Sequence, residues 1–268
     1  KYITVSTSIG NMTRVATDEK GGQTFEEGDE ISVYAWTGDA TVAPETRERV
    51  VNNAINKLTN GSWISNPQML WKNNHDKHYF IGVYPISAIS DLSAGEYTFD
   101  ETKQVESDLL VAVNKDGLSY NVDEQQPVPL TFTHVMAKLV VNLTYKNQWG
   151  GIPTVEKVVV GNAAKEATIN YLTKVVTPST TTKEDFSLPE ITENTKYVSV
   201  IIPQEEVTQL TIVIGGKNFV YDNGTPFKLE SGKITTVNLE VGRDEIKLGD
   251  VKITNWEDGS TFSGEALN

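Results

Sequence analysis

Apolar and polar residues alternate in short segments along most of this chain, and this period of two constrains the fold more than any other feature. In the clearest segment, residues 137–145, apolar side chains fall on every second position. The alternating apolar positions near the start are Ile3, Val5, Thr7 and Ile9, and a second set is Ile31, Val33 and Ala35. Such segments, repeated at short spacing, predict an all-β protein built from β-sandwiches rather than βαβ units.

One stretch departs from this alternation. Between Pro44 and Leu58 the apolar residues recur at helical spacing, namely Val50, Val51, Ala54, Ile55 and Leu58. Proline suits the first position of a helix, and the remaining positions are charged or polar. The pattern therefore predicts one short helix, about residues 44–58, inserted between strands.

A domain boundary is predicted at residues 123–129. This segment reads DEQQPVP, and its two prolines and four polar residues resist both a helix and a central strand. We expect an N-terminal β-sandwich over residues 1–127 and a C-terminal β-sandwich over residues 128–268.

The charge balance and the lack of cysteine exclude several classes of function. The chain has 36 acidic against 23 basic residues and no basic block, which argues against nucleic-acid binding. Without cysteine there are no disulfides, thiolate metal sites or cysteine nucleophiles. No apolar run is long enough to span a membrane, and we expect any signal peptide or lipid-anchor cysteine to lie outside the given chain.

Catalytic and metal-binding motifs are not evident in the sequence. His75 and His78 form an H-x-x-H pair without a third ligand, and His134 stands beside an apolar strand. Neither a nucleophile elbow nor a phosphate-binding loop occurs. We expect no cofactor, no catalytic metal and no enzymatic activity, although a hydrolase using an unrecognised pair of carboxylates stays an alternative.

Exposed aromatic rings offer a different possibility, because sugar rings stack on them. Among the five tryptophans, Trp63 and Trp149 each lie close to glycine in segments expected to be loops, which makes them candidate glycan contacts. Packing in a core is the commoner use of tryptophan. A surface glycan-binding β-sandwich lipoprotein is therefore kept as a second hypothesis.

Several ordered segments give the chain a resemblance to a known family. They include Thr13-Arg14, FEEGDEI at 25–31, Trp71, Tyr84-Pro85, SDLL at 107–110, LTFTHVMAKL at 130–139, Ile202-Pro203-Gln204 and ITNW at 253–256. Together they resemble the fimbrillin-like (Mfa-like, FimA-like) fimbrial subunits of Bacteroidales. The resemblance implies two tandem transthyretin-like β-sandwiches in a structural or adhesive pilus subunit at the cell surface.

The resemblance also implies how such a subunit assembles. It implies an outer-membrane lipoprotein precursor, cleavage by an arginine- or lysine-specific protease at Arg14, and loss of residues 1–14 as a removable strand. The groove left behind would accept a strand from another fimbrial subunit, and the apolar face of Ile3, Val5, Thr7 and Ile9 fits that role. Residues 261–268 lack the alternation of a donated strand, so a tip, stalk or accessory position stays open, as does the host or bacterial surface ligand.

Overall fold

The computed structural model describes residues 1–10, 25–121 and 126–256. These residues form strands β1 to β19, numbered in chain order, together with one α-helix, α1 (Gln104–Ser107), and two 3-10 helices, Thr46–Glu48 and Asn147–Trp149. None of the helices in these ranges is long and apolar enough to cross a membrane. The predicted all-β class is confirmed.

Seven strands form the largest sheet. Its order from edge to edge is β1 (Val5–Ile9), β8 (Val128–His134), β7 (Leu110–Leu118), β5 (His78–Tyr84), β2 (Glu30–Thr37), β3 (Val51–Thr59) and β4 (Ser62–Asn66). All neighbours in this sheet are antiparallel except β1 and β8, which are parallel. The sheet therefore begins and ends with short edge strands that come from the first quarter of the chain.

Three smaller sheets are built mainly from the second half of the chain. The five-stranded sheet has the order β14 (Glu190–Thr192), β15 (Lys196–Ile201), β9 (Ala137–Tyr145), β18 (Lys233–Val241), β19 (Ile246–Asn255). The four-stranded sheet has the order β13 (Lys183–Ser187), β10 (Val155–Ala164), β16 (Gln209–Ile214), β17 (Lys217–Asp222). The three-stranded sheet has the order β12 (Val175–Pro178), β11 (Glu166–Asn170), β6 (Gly95–Thr98).

The large sheet is buried on both faces. On β2, Ile31, Val33 and Ala35 pack into one apolar cluster, whose buried members all precede residue 133. We call it the N-terminal cluster. Tyr34 and Trp36, on the opposite face of the same strand, pack into a larger cluster that also contains most of the apolar core of the second half. This shared cluster joins the large sheet to the smaller sheets.

The boundary predicted between residues 127 and 128 does not coincide with the division of the sheets. Strand β8 follows that boundary, yet it pairs with β1 and β7 in the large sheet. Strand β6 precedes the boundary and pairs with β11 of the second half. The sheets thus exchange one strand in each direction, and independent folding of the two halves stays a prediction.

The predicted helix over residues 44–58 is wrong. Residues 46–48 form a 3-10 turn, and residues 51–59 form strand β3, paired with β2. The ladder places Val33 opposite Ala54 but Ala35 opposite Val51, so β3 carries an extra residue at a bulge, where Asn53 has a positive φ of 52°. A bulge converts a spacing of two into a spacing of three, which imitates the period of a helix.

Candidate functional site

The first ten residues, here called the N-terminal segment, lie at one edge of the large sheet. Strand β1 pairs in parallel with β8, from Val5 opposite Val128 to Ile9 opposite Phe132. The Gly10 amide then donates to the Phe132 carbonyl at 2.8 Å. Main-chain bonding to β8 therefore continues to the end of the segment.

The start of the same segment bonds to a different part of the sheet. The Ile3 amide donates to the Met69 carbonyl at 2.9 Å, and the Trp71 amide donates to the Lys1 carbonyl at 3.2 Å. Residues 69–71 follow β4, the strand at the opposite edge of the sheet. The N-terminal segment thus occupies a slot between the two ends of the curled sheet, with β8 on one side and residues 69–71 on the other.

The side chains of the segment alternate between the protein interior and solvent. Ile3 is 2% exposed and Val5 is 6% exposed, and both pack in the N-terminal cluster. Thr7 and Ile9, on the same face, are half-buried, while the intervening side chains are exposed. The face proposed from the sequence therefore lies against the cluster, completely at its first two positions and partly at its last two.

Apolar and aromatic residues form the floor of the slot. Met69, Leu130 and Phe132 are buried beneath the segment as members of the N-terminal cluster. The Phe25 ring makes edge contacts with the rings of Phe132 and Tyr84, at centroid distances of 5.1 and 5.4 Å. This surface is covered by the N-terminal segment and would meet water if the segment left.

An open cleft of 670 Å³ runs beside β1 and separates it from β4. Its lining is apolar or neutral: residues 4–9, Phe25, Leu58, residues 61–64 and Pro127. Across it, the Trp63 indole Nε1 donates to the Thr7 hydroxyl oxygen at 3.0 Å. Burial, with smaller contributions from Asp29 and Asp108, raises the pKa of the nearby Tyr84 to about 12, so that phenol is neutral at physiological pH. The site is suited to strand pairing and apolar burial rather than to acid–base chemistry.

Two other residues proposed from the sequence lie in different surroundings. Trp63 is on β4 and packs against Phe25 at 5.3 Å, whereas Trp149 packs against the shared cluster and donates from Nε1 to the Val241 carbonyl at 3.0 Å. These contacts account for both indoles without a sugar, and a glycan role for either stays a prediction. Arg14, the proposed processing site, lies outside the described residues.

The histidines are separated and serve as packing or hydrogen-bonding groups. His75 is exposed beside Asp76, whereas His78 is buried and its Nε2 accepts from the Lys72 amide at 3.1 Å. His134 Nδ1 lies 2.8 Å from Asp108 Oδ1, and its imidazole stacks on Trp256 with ring centroids 4.0 Å apart. Within the described ranges, no group of three or more histidine or carboxylate side chains is placed to hold a metal ion.

Sequence reasoning missed the wall formed by residues 69–71 and the floor residue Phe25. Met69, Leu70 and Trp71 form a short apolar run after Pro67, which was the available signal. That run is too short to predict a strand, and its pairing with residues 1–3 is non-local. Only the three-dimensional arrangement reveals that the N-terminal segment is held from both sides.

Comparison with known proteins gives a family match over most of the chain. The sequence model of the fimbrillin-like family matches residues 13–256. No curated protein sequence matches the chain.

Among solved structures, a proposed cell adhesion protein from Bacteroides ovatus has a TM-score of 0.68 at 18% identity, covering 96% of this chain and 98% of its own. A similar protein from Bacteroides uniformis has a TM-score of 0.66 at 18% identity, covering 95% and 98%. The tip fimbrial protein Mfa3 from Porphyromonas gingivalis, with a C-terminal truncation, has a TM-score of 0.54 at 11% identity, covering 86% and 95%. These structures share the fold, and the family model carries the assignment.

Proposed function

The chain belongs to the fimbrillin-like family of fimbrial and cell-adhesion proteins, and we propose that it is a surface subunit that assembles by exchange of its N-terminal segment for a strand of another subunit. The observation that carries this proposal is the slot, in which residues 1–10 bond to β8 on one side and to residues 69–71 on the other. We propose that the chain reaches the surface as an outer-membrane lipoprotein precursor. A structural rather than enzymatic role fits the family.

Departure of the segment would leave an acceptor site with unpaired main-chain groups and exposed apolar side chains. The main-chain groups of β8 and of residues 69 and 71 would lose their hydrogen-bond partners, and an edge of this kind recruits another strand. The floor formed by Met69, Leu130 and Phe132 would also lose its cover. Burying one side chain such as Ile3 or Val5 is worth about 1.5–3 kcal/mol, so an empty slot strongly favours a replacement.

The geometry also determines which strand fits. An incoming strand must place apolar side chains at alternate positions, matching those of Ile3 and Val5, because a slip of one residue would turn them to solvent. It would bond to β8 through main-chain groups, so the backbone supplies affinity and the buried side chains supply register. A strand from another subunit with this pattern is the partner we propose.

Limited cleavage with trypsin, which cuts after arginine and lysine, tests the proposal. We expect a single early cut after Arg14, followed by association of the processed chain with a subunit or peptide that carries an alternating apolar strand. The Arg14→Gln variant is the matched control, because it should fold identically but resist the cut. Mass analysis and size-exclusion chromatography provide the two readouts.

Two results would count against the proposal. One is early cleavage at Lys20, or within residues 177–183, while the bond after Arg14 stays intact. The other is efficient cleavage after Arg14 that produces no gain in strand binding. The second result would leave Arg14 as a processing site but would remove strand exchange as its purpose.

A further inference from the structure

A second cleft, of 750 Å³, opens between the connection from β2 to β3 and residues 70–72. Its lining comes from Trp36 to Val50 on one side and from Leu70, Trp71 and Lys72 on the other. Its volume lies within the range of about 300–1,000 Å³ that is usual for small-molecule sites. Neither the family assignment nor strand exchange requires this cleft, so its presence calls for a separate explanation.

Apolar surface in the cleft is both exposed and rigidly held. Val42 is 59% exposed and Leu70 is 49% exposed, although both are large aliphatic side chains. The half-buried Trp71 ring is fixed by edge contacts with His78 at 4.9 Å and Phe80 at 5.8 Å between centroids. A fixed indole beside exposed aliphatic groups offers a platform on which the CH face of a sugar ring can stack.

Many of the main-chain amides around the cleft already donate hydrogen bonds within the chain, which argues against an extended peptide as the ligand. The Val50 amide donates to the Ala35 carbonyl, and the Lys72 amide donates to His78 Nε2. The remaining amides that bond within the chain are those of Thr41, Val42, Glu45, Glu48, Arg49 and Trp71. Strand addition needs free main-chain groups, so recognition here falls to side chains.

The acidic groups of the cleft are directed toward their own chain. The Asp39 carboxylate accepts bonds from the hydroxyl and amide of Thr41, which lower the pKa of that carboxyl group. Glu48 accepts from the Glu45 amide at 3.1 Å. These carboxylates are therefore committed to local turns.

The cationic groups remain for a ligand. The guanidinium of Arg47 touches Glu45 through Nε at 2.8 Å, but it carries five N–H groups in all. The Lys72 ammonium donates to the Thr37 hydroxyl at 3.1 Å and has three donors. Arg49 is buried in the wall, where its Nη atoms donate to the carbonyls of Ile89 and Ser90, and its charge adds to the field. Arg47 and Lys72 are therefore the two exposed cations of the cleft that keep N–H donors for a ligand.

We propose that this cleft binds a sugar that carries a carboxylate, with its ring against Trp71 and its carboxylate held by Arg47 and Lys72. The aromatic platform selects a sugar ring, and the pair of cations selects the acid over a neutral sugar. The site would give the subunit an adhesive contact, and it shares Leu70 and Trp71 with the wall of the slot.

The test uses the full chain with defined sugars. The probes are 3′-sialyllactose and digalacturonic acid, and lactose is the uncharged control sugar. We expect the acidic sugars to bind at least about tenfold more tightly than lactose, equivalent to about 1.4 kcal/mol. The Trp71→Phe variant identifies the Trp71 signal among the five tryptophan indole signals in NMR spectra. In a titration of the unaltered chain with acidic sugar, that signal should shift most.

The double variant Arg47→Ala, Lys72→Ala should weaken binding of the acidic sugars at least about tenfold while leaving the weak binding of lactose unchanged. Lys157→Ala, Lys228→Ala removes the same charge elsewhere on the surface and should change binding less than about twofold. All four residues are exposed, so folding is not at risk.

The proposal is overturned if neither acidic sugar shifts the indole signals at concentrations up to about 10 mM. It is also overturned if lactose binds as well as the acids, or if both double variants weaken binding equally. Preferential binding of an acidic peptide over the sugars would assign the cleft to a protein partner instead.

Discussion

Strands β1 and β19 are both edge strands, yet the structure holds them in opposite ways. β1 has five residues and lies in a slot, where Ile3 and Val5 of its segment are buried. β19 has ten residues and pairs only with β18 among the described residues, while Leu248, Val251 and Ile253 stay 37–39% exposed. The shorter strand is the one that completes a core.

This difference separates the length of a strand from its contribution to the fold. Leu248, Val251 and Ile253 of β19 face the same side as Val237 and Leu239 of β18, but the shared cluster does not extend over them and reaches only Ile246 at the start of the strand. Loss of an exposed edge uncovers little new apolar surface, whereas loss of the N-terminal segment uncovers the floor of its slot. Only in the second case does a departing strand need a replacement, and this is why we propose the N-terminal slot as the assembly site.

Replacing one isoleucine of each edge by alanine should give the largest difference in free energy of unfolding between the two edges. Ile3→Ala should lower the free energy of unfolding by about 2–5 kcal/mol, since it leaves a cavity in the N-terminal cluster. Ile253→Ala, at 39% exposure, should cost less than about 1 kcal/mol. Equal losses in denaturant titrations of the two variants would show that the two edges contribute alike.

Packing beneath the slot can be tested at a glycine. A Cβ added to Gly82 on β5 would lie 2.6 Å from the Phe132 ring and 3.2 Å from Leu130. Gly82→Ala should therefore cost about 1–3 kcal/mol by overpacking the floor. Gly161→Ala on β10 is the control, because its Cβ would meet its nearest neighbour at 3.5 Å and should fit. Unchanged stability of the Gly82→Ala protein would mean that Phe132 and Leu130 can shift to make room for the added methyl group.

The hydrogen bond across the cleft should make a smaller contribution. Trp63→Phe keeps an aromatic ring beside Phe25 but removes the Nε1 donor to Thr7. We expect a loss of about 0.5–1.5 kcal/mol. Thr7→Val in the same measurement removes the acceptor, and the double variant should cost less than the sum of the two. Additive losses would show that the two side chains act independently.

The most modest effect is a pH dependence from His78 beside the slot. Burial lowers the pKa of this imidazole, which accepts a bond from the Lys72 amide in its neutral form. Because the pKa of the unfolded imidazole is about 6.5, the unfolded state binds more protons than the folded state between the folded pKa and that value. Stability should therefore fall as pH drops below about 6.5, and His78→Gln should remove this part of the dependence. An unchanged pH profile in the variant would exclude His78 as its source.

The sequence predicts strands well where the alternation is uninterrupted. Strand β9 begins and ends at the predicted residues, 137 and 145. Two adjacent glycines favour a two-residue hairpin turn, and Gly215-Gly216 forms one between β16 and β17 with both φ values positive. Alternation fails as a guide at β3, where the bulge at Asn53 imitates helical spacing. A sequence pattern reflects only the local backbone conformation. A single inserted residue is therefore enough to make a strand look like a helix.

Sites made by non-local pairing are the part that the sequence does not reveal. The apolar face of residues 3–9 was predictable from its period. Its contact with residues 69–71 was not, because a short apolar run carries no information about its partner. The exchange of β6 and β8 between sheets is non-local in the same sense, and so is the second cleft, which Val42 and Leu70 both line.

Exchange of the N-terminal strand itself is the most direct test of the assembly account. The chain would be cleaved after Arg14 and mixed with a labelled peptide of residues 1–10, and fluorescence anisotropy would follow its binding. The account predicts saturable binding to the cleaved chain only, abolished when Ile3→Asp and Val5→Asp are placed in the peptide, because two charges cannot enter the N-terminal cluster. Equal binding of both peptides, or equal binding to cleaved and uncleaved chains, would contradict it.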